Sequence, residues 1–347
     1  MPARTVWRSI ITLSRFALAI VILWALIRFK IIDIGAVAHL WMKPAELSIA
    51  ILCLLAGIFV AAQRWRLLLR VQGVDVRYGP ICRLVGFSTL AGMILPGATS
   101  GEALKMLWMM RSVPGARVPA ALSIVMDKII ALLAVIVTGA VAALLDLGAL
   151  TGNPALRLFV LSLWLVVAGV ALGVLVLVLL RRWRIGTRFL GEGRGRLYRF
   201  MRQVVDVIRA YLDVPGTLVQ AFGLALVCCL LMVVGVTLLA DTVDAAALTP
   251  PQYAMGLVAG MLANLLPLTP GGIGVGESGF GYICTLLDTG SGAAYGSVFL
   301  AFRLASILAL LPFLLVMPQK ELIKEEGMKT SVGARPLSRP DTGAPMC

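Results

Sequence analysis

Histidine is almost missing from this sequence, and charge of either sign is scarce. One histidine, His39, occurs in 347 residues, and charged residues make up 14%, against roughly 25% in a soluble domain. A single histidine leaves histidine-dependent lipid phosphatases and zinc hydrolases without their ligands and bases. His39 lies close to Trp41 and reads as an interfacial polar residue. The six cysteines include no Cys-x-x-Cys or Cys/His spacing, so neither structural zinc nor a disulfide framework is expected. Cys53, Cys82, Cys228, Cys229 and Cys284 instead sit in apolar stretches as small membrane-compatible residues, and Cys347 ends a polar tail.

What is abundant is hydrocarbon. Apolar residues reach 60%, and the runs Phe159–Leu180 and Leu218–Ala240 carry no charge. Each is long enough to cross a bilayer core, which takes about 20 apolar residues. The expected fold class is an all-α polytopic membrane protein. Full spans fall near 10–27, 45–62, 118–145, 156–180, 215–239 and 294–317. Arg4 and Arg8 precede the first run as in a signal sequence, but the nearest Ala-x-Ala, Ala36–Ala38, is separated from it by Arg28, Lys30 and Asp33. Residues 10–27 therefore read as a retained span. Two more apolar stretches, near 80–110 and 252–287, are interrupted by Pro and Gly and read as broken re-entrant hairpins.

The net charge of +14 is concentrated in loops rather than spread over a nucleic-acid-binding face. Arg181, Arg182, Arg184, Arg188, Arg194, Arg196, Arg199, Arg202 and Arg209 crowd the loop after the fourth span. Positive loops stay cytoplasmic and attract anionic lipid surfaces, so no nucleic-acid partner is expected. With the N-terminus inside, the loop with Arg64, Arg66, Arg70 and Arg77 also falls inside, as do Lys105, Arg111 and Arg117, which close the first hairpin. The loop at 240–251, with Asp241 and Asp244, falls outside, and the tail with Lys320, Lys324 and Lys329 returns inside. One loop dissents: residues 28–44 fall outside yet carry Arg28, Lys30 and Lys43. The expected location is the cell membrane, with both termini cytoplasmic. A single transmembrane domain at 1–317 precedes a polar cytoplasmic tail at 318–347.

The halves at about 10–145 and 156–317 resemble each other. Each has two spans, a broken hairpin and one span. Three full crossings per half make the second half inverted. Pro96-Gly97 precedes Gly101-Glu102, and Pro270-Gly271 precedes Gly276-Glu277. Lys128 follows Glu102 by 26 residues, and Arg303 follows Glu277 by 26. Inverted repeats with discontinuous helices are the build of many transporters.

The candidate site follows from these interruptions. Irregular backbone in a bilayer survives only where protein or a watery cavity receives it. Gly97, Gly271, Gly272 and Gly274 could present free N–H groups to an anion, and the competing reading is a glycine-rich packing surface, to which Gly256-x-x-x-Gly260 contributes. Asp127, Lys128 and Arg303 lie deep in their spans, where ionisable groups are functional candidates. The alternative is neutralisation by Asp127, Glu102 and Glu277 that only holds helices together. Arg64 and Arg66 flank Trp65 at a membrane edge, with interfacial anchoring as the first role and head-group capture as the second. Gly276-Glu277-Ser278-Gly279 matches the Gly-x-Ser-Gly of rhomboid-type intramembrane proteases, but no histidine follows it to act as base. Gly272-x-Gly274-x-Gly276 lacks the βαβ context of a dinucleotide site. No enzyme activity, metal or cofactor is expected.

Taken together, these residues resemble a known family, the flippase-like membrane proteins related to the transmembrane region of lysylphosphatidylglycerol synthase. The resemblance rests on Arg64-Trp65 with Leu67-Leu68, Leu95-Pro96-Gly97 with Gly101-Glu102, Lys105, Asp127-Lys128, Pro270 to Glu277, and Arg303. It implies translocation of an anionic or aminoacylated phospholipid, or of a related isoprenoid lipid. Aminoacylation is not carried over, because only the polar tail follows the last span. In this reading Lys128 and Arg303 hold phosphate and Glu102, Glu277 and Asp127 balance them. The alternative function is a non-transporting scaffold that presents a lipid-linked substrate to a partner glycosyltransferase or lipid-modifying enzyme.

The topology is testable by labelling. Single cysteines in the arginine-rich loop, at Tyr78 and at Arg117 should react only from the cytoplasm, and cysteines at Asp241, Asp244 and Ser291 only from outside. Opposite labelling of positions 78 and 117 would make the first hairpin a full crossing.

Overall fold

A computed structural model describes residues 35, 39–94, 100–112, 117–148, 152–182, 210–243, 245, 247–266, 268–269, 272–288, 290 and 293–315. After a short 3-10 turn at His39–Trp41, the described helices are α1 (Pro44–Val71), α2 (Tyr78–Ile94), α3 (Ser100–Ser112), α4 (Arg117–Leu145) and α5 (Pro154–Arg182). They continue with α6 (Pro215–Thr242), α7 (Pro250–Ala263), α8 (Val275–Leu287), α9 (Tyr295–Leu310) and α10 (Pro312–Leu315). Proline opens α1, α5, α6, α7 and α10, where its missing N–H costs nothing and its fixed φ suits the first turn.

Among the described residues, five segments are long and apolar enough to cross a membrane: Pro44–Val71, Val118–Leu145, Pro154–Val176, Pro215–Thr242 and Tyr295–Leu314. They coincide with five of the six expected spans, and the chain is an all-α polytopic membrane protein. The expected span at 10–27, the tail and the arginine-rich loop beyond Arg182, which itself ends α5, lie outside the described residues. So do Pro96, Gly97, Pro270 and Gly271.

The two interrupted stretches fold as helix pairs, α2 against α3 and α7 against α8. The bundle's largest core cluster joins α1 and α6 to the second pair and α9, while a second cluster joins α1 to the first pair. α5 lies at the periphery against α4, and Leu158, Leu161, Leu165 and Leu175 on it are exposed. In water such a face would be a liability, and in a bilayer it meets acyl chains.

Side-chain contacts gather the loops at each end of the bundle. Lys43 Nζ donates to the Asp241 carbonyl at 2.5 Å, and Gln252 Nε2 donates to Asp146 Oδ2 at 2.6 Å, which brings the loop after α4 beside the two loops expected outside. The dissenting Lys43 is thus used to bind a carbonyl at the end of α6. At the other end, Arg66 Nε donates to the Val76 carbonyl at 2.8 Å and Tyr211 Oη to the Leu68 carbonyl at 3.2 Å.

One expectation is corrected at that end. α1 runs to Val71, nine residues past the expected end of its span at 62, and carries Arg64 and Trp65 into the protein. Trp65 is 1% exposed and Arg64 7%, so they are core residues rather than interfacial anchors. The cause is the stripe Trp65, Leu68 and Leu69, whose spacing turns this face of the helix inward. Arg66, on a different face, stays at the edge.

Glycine makes the first helix pair possible. A Cβ on Gly101 would come within 2.3 Å of the Ser88 carbonyl oxygen, and Gly92 backs onto the Gly101 backbone. Gly101→Leu should therefore destabilise the protein by about 1–3 kcal/mol or more, as overpacking does, whereas Leu175→Ala should change it by roughly 0.5 kcal/mol or less. Thermal unfolding in detergent compares the two. Equal tolerance would contradict the close approach of α2 and α3.

Candidate functional site: a charged ring over two adjoining cavities

Asp127 and Lys128 are adjacent on α4, so their side chains leave the helix about 100° apart and meet different neighbours. Asp127 faces α1. Arg64 Nε lies 2.7 Å from Asp127 Oδ1 and Arg64 Nη2 lies 3.1 Å from Oδ2, a two-pronged pair with both side chains buried. Lys128 faces α3, with its Nζ 2.7 Å from Glu102 Oε1. This second pair is open: 49% of the lysine side chain and 28% of the glutamate are exposed.

Glu102 is the third residue of α3, and Glu277 is the third residue of α8. Both carboxylates stand at helix N-termini, where free N–H groups and the helix dipole favour negative charge. Glu277 Oε2 accepts from the Gly274 N–H at 2.7 Å and its Oε1 pairs with Arg303 Nε at 2.8 Å. Arg303 Nη2 also donates to the Gly272 carbonyl at 3.2 Å, and the guanidinium lies 5.9 Å from the Phe299 ring centre. Here the side chains are 9% and 0% exposed. The register shared by Glu102–Lys128 and Glu277–Arg303 is thus realised twice as an ion pair, once open and once sealed.

Lys105 lies one turn beyond Glu102 on α3. Its ammonium stands 5.5 Å from the centre of the Trp65 ring, whose Nε1 donates to Ser123 Oγ at 3.2 Å. Among the described residues no carboxylate pairs with Lys105. A cation over a tryptophan face keeps partial compensation for lost hydration but retains its N–H donors for another acceptor.

Two adjoining cavities, of about 320 and 360 Å³, share Glu102, Lys105, Lys128, Thr89, Met93 and Met261. The first extends to Ser88, Gly92 and Gly101 of one helix pair and to Asn264 and Leu265 at the end of α7. Ser88 Oγ and Asn264 Oδ1 are shielded from solvent and have no hydrogen-bond partner among the described residues. Asn264 occupies the room left by two glycines: a Cβ on Gly272 or Gly276 would fall 2.3 or 2.5 Å from Asn264 Oδ1, and Gly272 has a left-handed φ of 71°. The second cavity adds Arg64 and Asp127 to the shared charges, giving three cations against two carboxylates.

A model of one family, the lysylphosphatidylglycerol synthase TM region, matches residues 11–313. The chain belongs to that family. No curated protein matches the sequence closely enough to add a second relative. In this member of the lysylphosphatidylglycerol synthase TM region family, the residues singled out from sequence divide into two groups. Arg64, Glu102, Lys105, Asp127 and Lys128 gather around the cavities. Arg303, Glu277, Gly272 and Gly274 form a closed network that does not line them. Arg66 binds backbone at the bundle edge, and Gly97 and Gly271 lie outside the described residues. Sequence reasoning missed Ser88 and Asn264. Asn264 was visible as a lone amide in the apolar run before Pro270, and Ser88 as a hydroxyl one turn before Gly92. Among the described residues no three metal-ligating side chains converge.

Proposed function

We propose that the protein binds the anionic head group of a membrane lipid at Lys105 and Lys128 and carries it across the bilayer. An anionic head group prefers water so strongly that about 30 Å of hydrocarbon is an effective barrier. A polar cavity inside the bundle lowers that barrier by replacing hydration with fixed donors. The observation that carries the reading is Lys105: a cation without a carboxylate partner among the described residues, lining both cavities, in a ring of net positive charge. Lys128 can join it by exchanging Glu102 for a phosphate, since that pair is half open.

The matched ion-pair register supports an inverted-repeat architecture in which each helix pair re-enters on its own side, with both termini cytoplasmic. In that architecture the Glu277–Arg303 pair of the second half is a brace rather than a ligand set, because its donors are already committed to Glu277 and Gly272. Transport would be passive or ion-coupled.

The test is movement of a fluorescent phosphatidylglycerol in liposomes holding the purified protein. A charge-assisted contact contributes about 1.5–3 kcal/mol, so Lys105→Met should weaken head-group binding roughly ten- to hundredfold and slow movement accordingly. Lys105→Arg should retain most of it. Wild-type movement in well-inserted Lys105→Met protein would overturn the head-group role. Tight binding without movement in the wild-type protein would favour the presenting scaffold.

A further inference from the structure

We infer that the second cavity is the seat of one hydrocarbon chain of the same lipid, so that the substrate enters the bundle chain and head together. This rests on the head-group reading and adds a site for the apolar part of the molecule. The lining of one helix carries the argument. Along α1 the cavity meets Leu54, Gly57, Ile58, Ala61 and Arg64, which follow the i, i+3, i+4, i+7, i+10 pattern of one helix face. Over about 15 Å of helix this stripe passes from wholly apolar to charged. An amphiphile has the same gradient. With its phosphate at Lys105 and Lys128, the chain joined to it points along the stripe towards Leu54.

The far walls are equally apolar. Met232 of α6 and Leu310 of α9 close the cavity. Methionine side chains are unbranched and adapt to the shape of what they enclose. The volume of about 360 Å³ is more than twice the roughly 150 Å³ of an apolar engineered cavity that stays dry and binds a hydrocarbon ring. Gly57 marks open space: a Cβ built there meets nothing within 4 Å. A helix centre facing a packed core would be expected to fill that space, and glycine there costs helix stability relative to alanine. Its absence of a side chain leaves the chamber wide where a chain would lie. A saturated acyl chain and an isoprenoid chain both have this chemistry.

Photolabelling of the full-length protein in nanodiscs tests the assignment. The probes are phosphatidylglycerol with a diazirine midway along one acyl chain, a polyprenyl phosphate with a diazirine in its chain, and a diacylglycerol with the same labelled acyl chain. The expected result is label at Met232 and on α1 around Gly57 from at least one anionic probe, and that probe names the chain. Gly57→Phe should abolish this label while leaving binding of a short-chain phosphatidylglycerol unchanged, and Gly57→Leu should reduce it. Label confined to the outward side chains Leu158, Leu161 and Leu165, or persisting at Met232 in Gly57→Phe, would overturn the chain site. Failure of the head-group reading has a different signature. Diacylglycerol would then label Met232 as strongly as the anionic probes, and the chain site would stand without it.

Discussion

An unpaired charge in a low-dielectric interior is costly, and the ion pairs that offset this cost among the described helices organise the site. Arg64, Lys128 and Arg303 pair with Asp127, Glu102 and Glu277, and each pair ties two helices together: α1 to α4, α3 to α4, and α8 to α9. Breaking a buried pair by removing one partner typically costs about 3–5 kcal/mol, far more than the pair contributes over apolar replacements. The pairs therefore specify which helices meet more than they add to stability. α4 is the hub, because two adjacent residues send opposite charges to different neighbours. Lys105 is the cation that the matching leaves over, held by the face of Trp65 rather than by a carboxylate.

Cavities persist beside this network because the helix pairs do not close over it. In the first pair, Gly101 lets α3 approach the Ser88 carbonyl so closely that Glu102 and Lys105 are presented together at the start of α3. In the second, Asn264 is wedged against Gly272 and Gly276 while the same residue lines the first cavity. Gly272 also gives its carbonyl to Arg303. The sealed pair thus shapes one wall of the open site at a distance, through Gly272 and Asn264, without contributing a charge to it.

Much of this was legible in the sequence because a bilayer makes strong demands. Charge-free runs of sufficient length announced α5 and α6, and Pro-Gly interruptions announced both helix pairs. The register of 26 residues that marks the halves as alike is carried by Glu102 with Lys128 and Glu277 with Arg303, and the structure joins each couple as an ion pair. What the sequence does not reveal is which pair is sealed, since exposure depends on neighbours remote in sequence: Gly272, 31 residues away, helps enclose Arg303, while Lys128 borders a cavity. Arg64 and Trp65 were misplaced at the interface for a related reason. An Arg-Trp-Arg cluster at the end of an apolar run has the composition of an anchor, and only the burial of Leu68 and Leu69 beyond it turns the cluster inward. The partnership of Arg64 with Asp127, 63 residues apart, has no local signal at all.

In the proposed function two ion pairs in the same register do different jobs, one bracing helices and the other working on lipid. Paired replacements separate the jobs most directly, with membrane level and lipid movement measured on the same samples. Arg303→Met alone should lower the amount of folded protein, and adding Glu277→Gln should recover much of it together with lipid movement. Lys128→Met with Glu102→Gln should give protein at normal level that moves lipid poorly. The contradictory result would be the reverse: an Arg303→Met, Glu277→Gln protein that folds well but moves no lipid, beside a Lys128→Met, Glu102→Gln protein with full movement.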